Sequence, residues 1–356
     1  MATVNNFDFA NNRPAERRWP EVVSRFPFPE KRTTASGGRQ SAGMERDIVK
    51  LSRLILMLSF AGLVLGNGAV RGEEIKHSFF IAGPTFTGII DEDGRETWDS
   101  GKPSARDGFV LPNGNVLIAW SDEVKELTRD NDKKVVFRYA KSAEAKEIGT
   151  VERLDNGRTL ITELGPKPRL IEVTADGKIV VDVPLKPETD NAHMQTRMAR
   201  KLPNGNYLVP HLLAFKVKEY SPKGEVLAEF KTDTDDLGGR KAENWPFTAI
   251  RLANGNTLVN LTHGNKTVEM DATGRVIWKV GNEDFPNEKP FADPCGGQRL
   301  PNGNTVIASY GSRGTIKVFE VTADKKLVWT YTGKHNAHEI QVLTTNGKPI
   351  EGKPMK

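Results

Sequence analysis

The sequence predicts an all-β protein: a six-bladed β-propeller with four antiparallel strands per blade, the closing blade shared between N- and C-terminal segments. Three observations predict it. A Leu-x-Asn-Gly turn recurs at a near-constant interval, a second turn follows about 20 residues after each copy, and the two series are mutually offset.

The first series runs Leu111-Pro-Asn-Gly-Asn115, Leu154-Asp-Asn-Gly-Arg158, Leu202-Pro-Asn-Gly-Asn206, Leu252-Ala-Asn-Gly-Asn256 and Leu300-Pro-Asn-Gly-Asn304. A degraded copy, Leu343-Thr-Thr-Asn-Gly347, closes it. The steps are 43, 48, 50, 48 and 43 residues. Asn-Gly between apolar runs signals a hairpin, because both residues tolerate positive φ. The second series starts at Asp91-Glu-Asp-Gly94, Thr128-Arg-Asp130, Thr174-Ala-Asp-Gly177, Ser221-Pro-Lys-Gly224, Asp271-Ala-Thr-Gly274 and Thr322-Ala-Asp324. Two hairpins in about 45 residues make one propeller blade. The chain opens on a second hairpin (78–99) and closes on a first (338–350), so these halves are expected to pair and close the ring without a free edge.

Composition agrees. Hydrophobic residues make up 37% of the 356, while 33 Gly and 21 Pro are spread along the chain, which suits short strands and many turns. The single cysteine, Cys295, excludes an intrachain disulfide. The net charge of +5 suggests a nucleic-acid partner, but its distribution removes that reading. Residues 1–72 carry 11 basic and 6 acidic side chains; residues 73–356 carry 40 of each.

The leader has its own organisation. Residues 1–43 lack apolar periodicity and read as a disordered or mis-annotated extension. Residues 44–72 read as a signal peptide: Met44, then Arg46, Lys50 and Arg53, an apolar run from Leu54 to Leu65, and small residues to Gly72. The run is too short to span a bilayer, which takes about 20 apolar residues. The expectation is a secreted or periplasmic, monomeric single-domain propeller over 73–356, touching membrane only through an uncleaved signal segment.

The string Met270-Asp-Ala-Thr-Gly-Arg-Val-Ile-Trp278 resembles the repeat of quinoprotein-type (PQQ-like) propellers. Trp98, Trp278 and Trp329 occupy its tryptophan position, with Phe137, Val181 and Ala228 near the other three. These read as inter-blade packing. Tryptophan-docked PQQ dehydrogenases have eight blades, so the resemblance does not imply PQQ here. The six-bladed form bearing Leu-Pro-Asn-Gly-Asn also looks similar to bacterial arylsulfotransferases, which use a channel-mouth histidine as nucleophile.

The repetitive turns share one face, so chemically capable residues are sought on the other. Before first strands stand Asn191, His193, Gln195, Trp245, Phe247, Cys295, Asn336, His338 and Glu339; after second strands stand Trp120, His211, His263 and Tyr310. Five of six histidines map to that mouth. Three readings compete. His193, His211, His263 and His338 are placed to ligate a divalent metal, with Gln195 or Glu339 as oxygen ligand. Alternatively His338 or His193 acts as nucleophile or base while Arg197 steadies an anionic group. In the third, which we favour, the mouth binds a small polar or saccharide ligand without catalysis. Its contacts are then His211, His263, Trp245, Phe247, Trp120, Tyr310, Asn191, Asn336, Glu339 and Cys295. Against all three, a histidine at a strand end readily satisfies backbone groups, and Cys295 beside Gly296-Gly297 suits close packing. No phosphate-cradling loop, Gly-x-Ser-x-Gly elbow or His-Glu-x-x-His helix appears.

Overall fold

Each Asn-Gly turn puts a glycine where only glycine is comfortable. Gly114, Gly205, Gly255 and Gly303 have φ between 85° and 88°, and in each the glycine N–H bonds the leucine carbonyl three residues back at 2.9 Å. The preceding asparagine does not adopt positive φ. The loops are therefore type I turns finished by a left-handed glycine, not the paired positive-φ turn that Asn-Gly alone suggests. Proline at the second turn position of three of them (Pro112, Pro203, Pro301) favours this by presetting the φ of a type I turn, and Ala253 adopts the same turn without it.

The computed structural model describes residues 74–311 and 315–356. The extension expected over 1–43 and the signal peptide over 44–72 lie outside the described residues. Six antiparallel sheets form the six-bladed propeller. Blades I to V span 107–140, 147–184, 200–231, 246–281 and 294–331. Helical structure among the described residues amounts to four three-residue 3-10 turns, and no described helix is long and apolar enough to cross a membrane.

Closure differs from a two-plus-two pairing. The N-terminal segment gives three strands to blade VI, His77–Ala82, Thr87–Ile90 and Glu96–Asp99, and the C-terminal segment gives the inner strand Glu339–Thr345. The degraded turn still forms, with Asn346 at φ 48° and Gly347 at 74°. The strand after it, Lys348–Pro349, pairs on the other edge of Glu339–Thr345, because His77–Ala82 already fills the place beside it.

The blades are joined apolar-to-apolar. Trp98 packs with Ala105, Val116 and Ile118 of blade I. Trp278 packs against the Phe319 and Val321 cluster of blade V and donates Nε1–H to the Ala323 carbonyl at 2.9 Å. Trp329 meets Phe79 edge-on at 5.8 Å. These tryptophans are inter-blade packing, as their repeat position suggests, and each such side chain contributes about 2 kcal/mol by burial.

A polar latch repeats beside them. Glu126, Glu172, Glu219, Glu269 and Glu320 each stand on the third strand of a blade. Asn115, Asn206, Asn256 and Asn304 donate to four of them at 2.6–2.7 Å. A basic side chain of the next blade reaches the same carboxylate: Arg153 to Glu126 at 2.7 Å, Arg251 to Glu219 at 3.1 Å and Arg299 to Glu269 at 3.0 Å. Lys201 pairs with Glu172, and His77 with Glu320. The second asparagine of the motif thus belongs to blade assembly as much as to the turn.

Candidate ligand-binding mouth

The six inner strands start on the face opposite the turns. Residues at or just before those starts crowd the axis: Arg106, Glu147, Arg197, Phe247, Cys295 and His338. In blade III the inner strand is reduced to Arg200–Lys201, preceded by an isolated bridge between Thr196 and His211. Met198, fully buried, sits between them at φ 39°. Such a backbone costs about 1–3 kcal/mol and gathers at functional sites. Here it turns Arg197 across to blade II.

Glu147 is the hub. Its Oε2 accepts from Arg106 Nη2 at 2.7 Å and its Oε1 from Arg197 Nη2 at 3.2 Å. His193 Nδ1 lies 3.3 Å from the same Oε2. Burial works to raise the Glu147 pKa, but the charge of Arg197, the His193 contact and Arg106 outweigh it and hold it down to about 2. Arg197 is 2% exposed; it also donates to the backbone carbonyls of Thr196 and His193. Burial lowers its pKa to about 10 against the opposing pull of Glu147, so it stays a cation at neutral pH. His193 is pushed down by burial, with Glu147 opposing.

His338 stands apart chemically. Its Nδ1 is 3.2 Å from the Ala105 carbonyl, and a carbonyl only accepts, so the proton is on Nδ1 and Nε2 carries the lone pair. No described group bonds Nε2. The ring stacks on Tyr310 at 4.2 Å and lies parallel to Phe247 at 6.2 Å. Burial first, then the nearby Arg106 charge, pushes its pKa down to about 3. It is neutral throughout the physiological range.

A second aromatic pair lies on blade IV. Trp245 stacks on His263 at 4.0 Å, and His263 Nδ1 reaches Glu243 Oε2 at 3.3 Å. Asp293, raised by burial against the charge of His263, holds the Tyr310 N–H with its backbone carbonyl at 3.1 Å.

Several residues expected at the mouth are used elsewhere. Trp120 is 2% exposed and donates Nε1–H to the Lys102 and Pro103 carbonyls. His211 is fully buried against the Tyr220 hydroxyl at 3.0 Å. Gln195 spends its amide on Gly165 and Thr189 backbone groups. Asn336 donates to the Tyr310 carbonyl, which positions that ring without facing a ligand. Asn191 is exposed at the N-cap of a 3-10 turn. Glu339 is fully buried on the axis, and Cys295 is 1% exposed with its carbonyl bonded by Thr248 and Asn260. His335 stacks on Phe86 and pairs with Glu96, away from this group.

The four histidines proposed as metal ligands do not converge: each has a different partner, and no three His, Cys, Asp or Glu among the described residues are grouped as a metal ion requires. Arg106 and Glu147 were missed in the sequence. Both stand at inner-strand starts, the position that singled out His338, and that rule applied to charged residues finds them.

A cavity of about 640 Å³ opens on the turn face instead, lined by Leu111, Leu154, Leu343, Ile350 and Pro354 among others. Volume and chemistry part company. Its charged lining is paired, Lys353 with Glu152 and Asp155 and Arg153 with Glu126, whereas the loop-face mouth presents the His338 Nε2 lone pair. We assign the site by chemistry.

The family model described as Mal s 1 allergenic protein-like matches residues 76–282, more than half of the chain. The chain belongs to this family. The comparisons do not extend to the quinoprotein-type or arylsulfotransferase resemblance, so those stay resemblances of the repeat motif alone. No curated protein matches the chain. Among solved structures, a Bacteroides caccae protein of unknown function is 21% identical, with a TM-score of 0.65 over 78% of this chain and all of that one. A streptogramin B lyase is 14% identical, with a TM-score of 0.51 over 74% of this chain and 85% of the lyase. At these identities the likeness to the solved structures is one of fold.

Proposed function

We propose that this propeller binds a small polar or saccharide-like ligand at the loop-face mouth, with His338 Nε2 as hydrogen-bond acceptor and Arg106 as the nearby cation. The observation that carries this is the fixed tautomer of His338, which leaves one unpartnered acceptor beside an aromatic face. Tyr310 and Trp245 offer the flat apolar surfaces on which sugar or aryl rings pack.

The alternative is a His-dependent enzyme: group transfer in the manner of the arylsulfotransferases, or a metal-dependent lyase or oxidoreductase. A base works best with a pKa near the working pH, and His338 is held near 3. That counts against His338 as a general base, while its neutral Nε2 could still act as a nucleophile. We prefer binding because it asks only for the acceptor and aromatic face already in place.

A thermal-shift screen of sugars, phenols and aryl sulfates tests it, since a ligand that binds only the native state raises its midpoint. The expected result is a hit whose shift disappears in His338→Ala and weakens in Arg106→Ala. Hits indifferent to both substitutions would move the site elsewhere. Turnover of an aryl sulfate, lost in His338→Ala, would favour the enzyme. We extend the proposal to export on the strength of the leader pattern over 44–72; sequencing the N-terminus of mature protein from the periplasm or medium is expected to start near residues 69–73.

A further inference from the structure

The C-terminal segment runs in from the turn face, with Glu351 to Lys353 exposed and only Lys356 buried on the axis. The Arg299 N–H bonds the Met355 carbonyl at 3.0 Å, and the Lys356 side chain enters the channel fully buried. Its ammonium donates to the Gly108 carbonyl at 2.8 Å and lies 4.0 Å from the Phe109 ring centroid. Glu339 Oε1 is 3.6 Å away and Asp107 Oδ1 3.8 Å. One of its three N–H groups has a partner at hydrogen-bonding distance.

The carboxylates around it are unequal. Asp107 is held bidentate by Arg200 at 2.8 and 3.2 Å and accepts the Val151 N–H at 3.1 Å. Glu339 accepts the Ile340 N–H through Oε1, while Oε2, fully buried, has no hydrogen-bond partner and meets Arg200 at 3.6 Å. A buried charge is tolerated only when paired. Without the Lys356 ammonium, Arg200 alone would face both carboxylates.

We propose that the axial channel is a binding site for a primary alkylammonium group, entered from the turn face and occupied in cis by Lys356. The recognition elements are the Asp107 and Glu339 charges, the Gly108 carbonyl, which demands an N–H, and the Phe109 ring, which favours a cation. The cavity beside residues 349–354 supplies the route. This site is separate from the His338 mouth and stands whether or not that mouth binds a ligand.

Chemical rescue tests it. Lys356→Ala is expected to lower the thermal midpoint, and n-propylammonium to restore at least about half of that loss saturably. n-Propanol lacks the charge and tetramethylammonium lacks the N–H; neither restores it. In Lys356→Met the site is refilled by an apolar chain, and the amine produces no shift. Equal rescue by n-propanol, an equal amine shift in Lys356→Met, or no amine binding to folded Lys356→Ala overturns the proposal. If Lys356→Ala folds only with the amine present, the proposal stands; if the amine does not restore its folding while Lys356→Met folds, it falls.

Discussion

His77 Nε2 and Glu320 Oε2 stand 2.7 Å apart with both side chains 1% exposed. His77 comes from the first described strand and Glu320 from blade V, so this pair is the latch at which the ring closes. It differs from the other latches in using histidine where Arg153, Arg251 and Arg299 serve elsewhere. His77 Nδ1 is also engaged, 2.9 Å from the Thr345 hydroxyl.

Breaking this latch uncovers a buried carboxylate. His77→Ala is expected to cost about 3–5 kcal/mol, measured by urea unfolding, whereas Lys326→Ala at a fully exposed pair is expected to leave the midpoint almost unmoved. Burial works to raise the Glu320 pKa, but His77 and Asn304 outweigh it and leave it lowered. The sign follows: the latch's contribution is full above the unfolded carboxylate pKa and is lost as pH falls through the folded value. Equal destabilisation by both substitutions would deny the latch its role.

Glu147 makes a similar statement with a number attached. Its folded pKa of about 2 lies below the unfolded value near 4.5, so its stabilisation is complete above pH 4.5 and disappears between there and about 2. The size is about 3 kcal/mol. Acid unfolding of Glu147→Gln should show a shallower pH dependence over that window; an unchanged slope would place the acid sensitivity elsewhere.

His338 should stay neutral from pH 5 to 8. Its NMR titration is expected to fall near pH 3, and ligand affinity at the mouth to be flat across the neutral range so far as this residue sets it. Because the unfolded imidazole takes its proton near 6.5, stability is full above that pH and declines below it. A midpoint near 6.5 in the native protein would return His338 to the pool of general bases.

Cys295 should resist thiol reagents in the native state. It is 1% exposed, and burial pushes its thiol well above the ordinary range. Ellman's reagent is expected to react only on unfolding, at the rate of global opening; fast labelling of folded protein would contradict the packing described for it.

The architecture was legible because glycine at a left-handed turn leaves a mark that does not depend on distant partners. Gly114, Gly205, Gly255 and Gly303 announce four hairpins on their own. The latches were harder to read, although Glu126, Glu172, Glu219, Glu269 and Glu320 recur at blade intervals, because the partner of each stands on the next blade. At the mouth, position along the chain placed His338, Tyr310 and His193 on the loop face. It could not separate them from His211 or Trp120, since burial against Tyr220 or against a carbonyl is decided by side-chain direction. The three-plus-one closure escaped for a related reason: the degraded turn at Asn346-Gly347 forms as written, and only competition from His77–Ala82 sends the next strand to the other edge.

Among the described residues, the Lys356 side chain plugs the axial channel of the propeller from the turn face. On the proposed function, a ligand at His338 would enter and leave from the loop face, because the Lys356 side chain occupies the axis on the other side. A tether on a ligand held there would leave from the loop face. Protein captured on beads through that tether would therefore hold its Asn-Gly turns outward, free for antibodies, proteases or a second protein to reach.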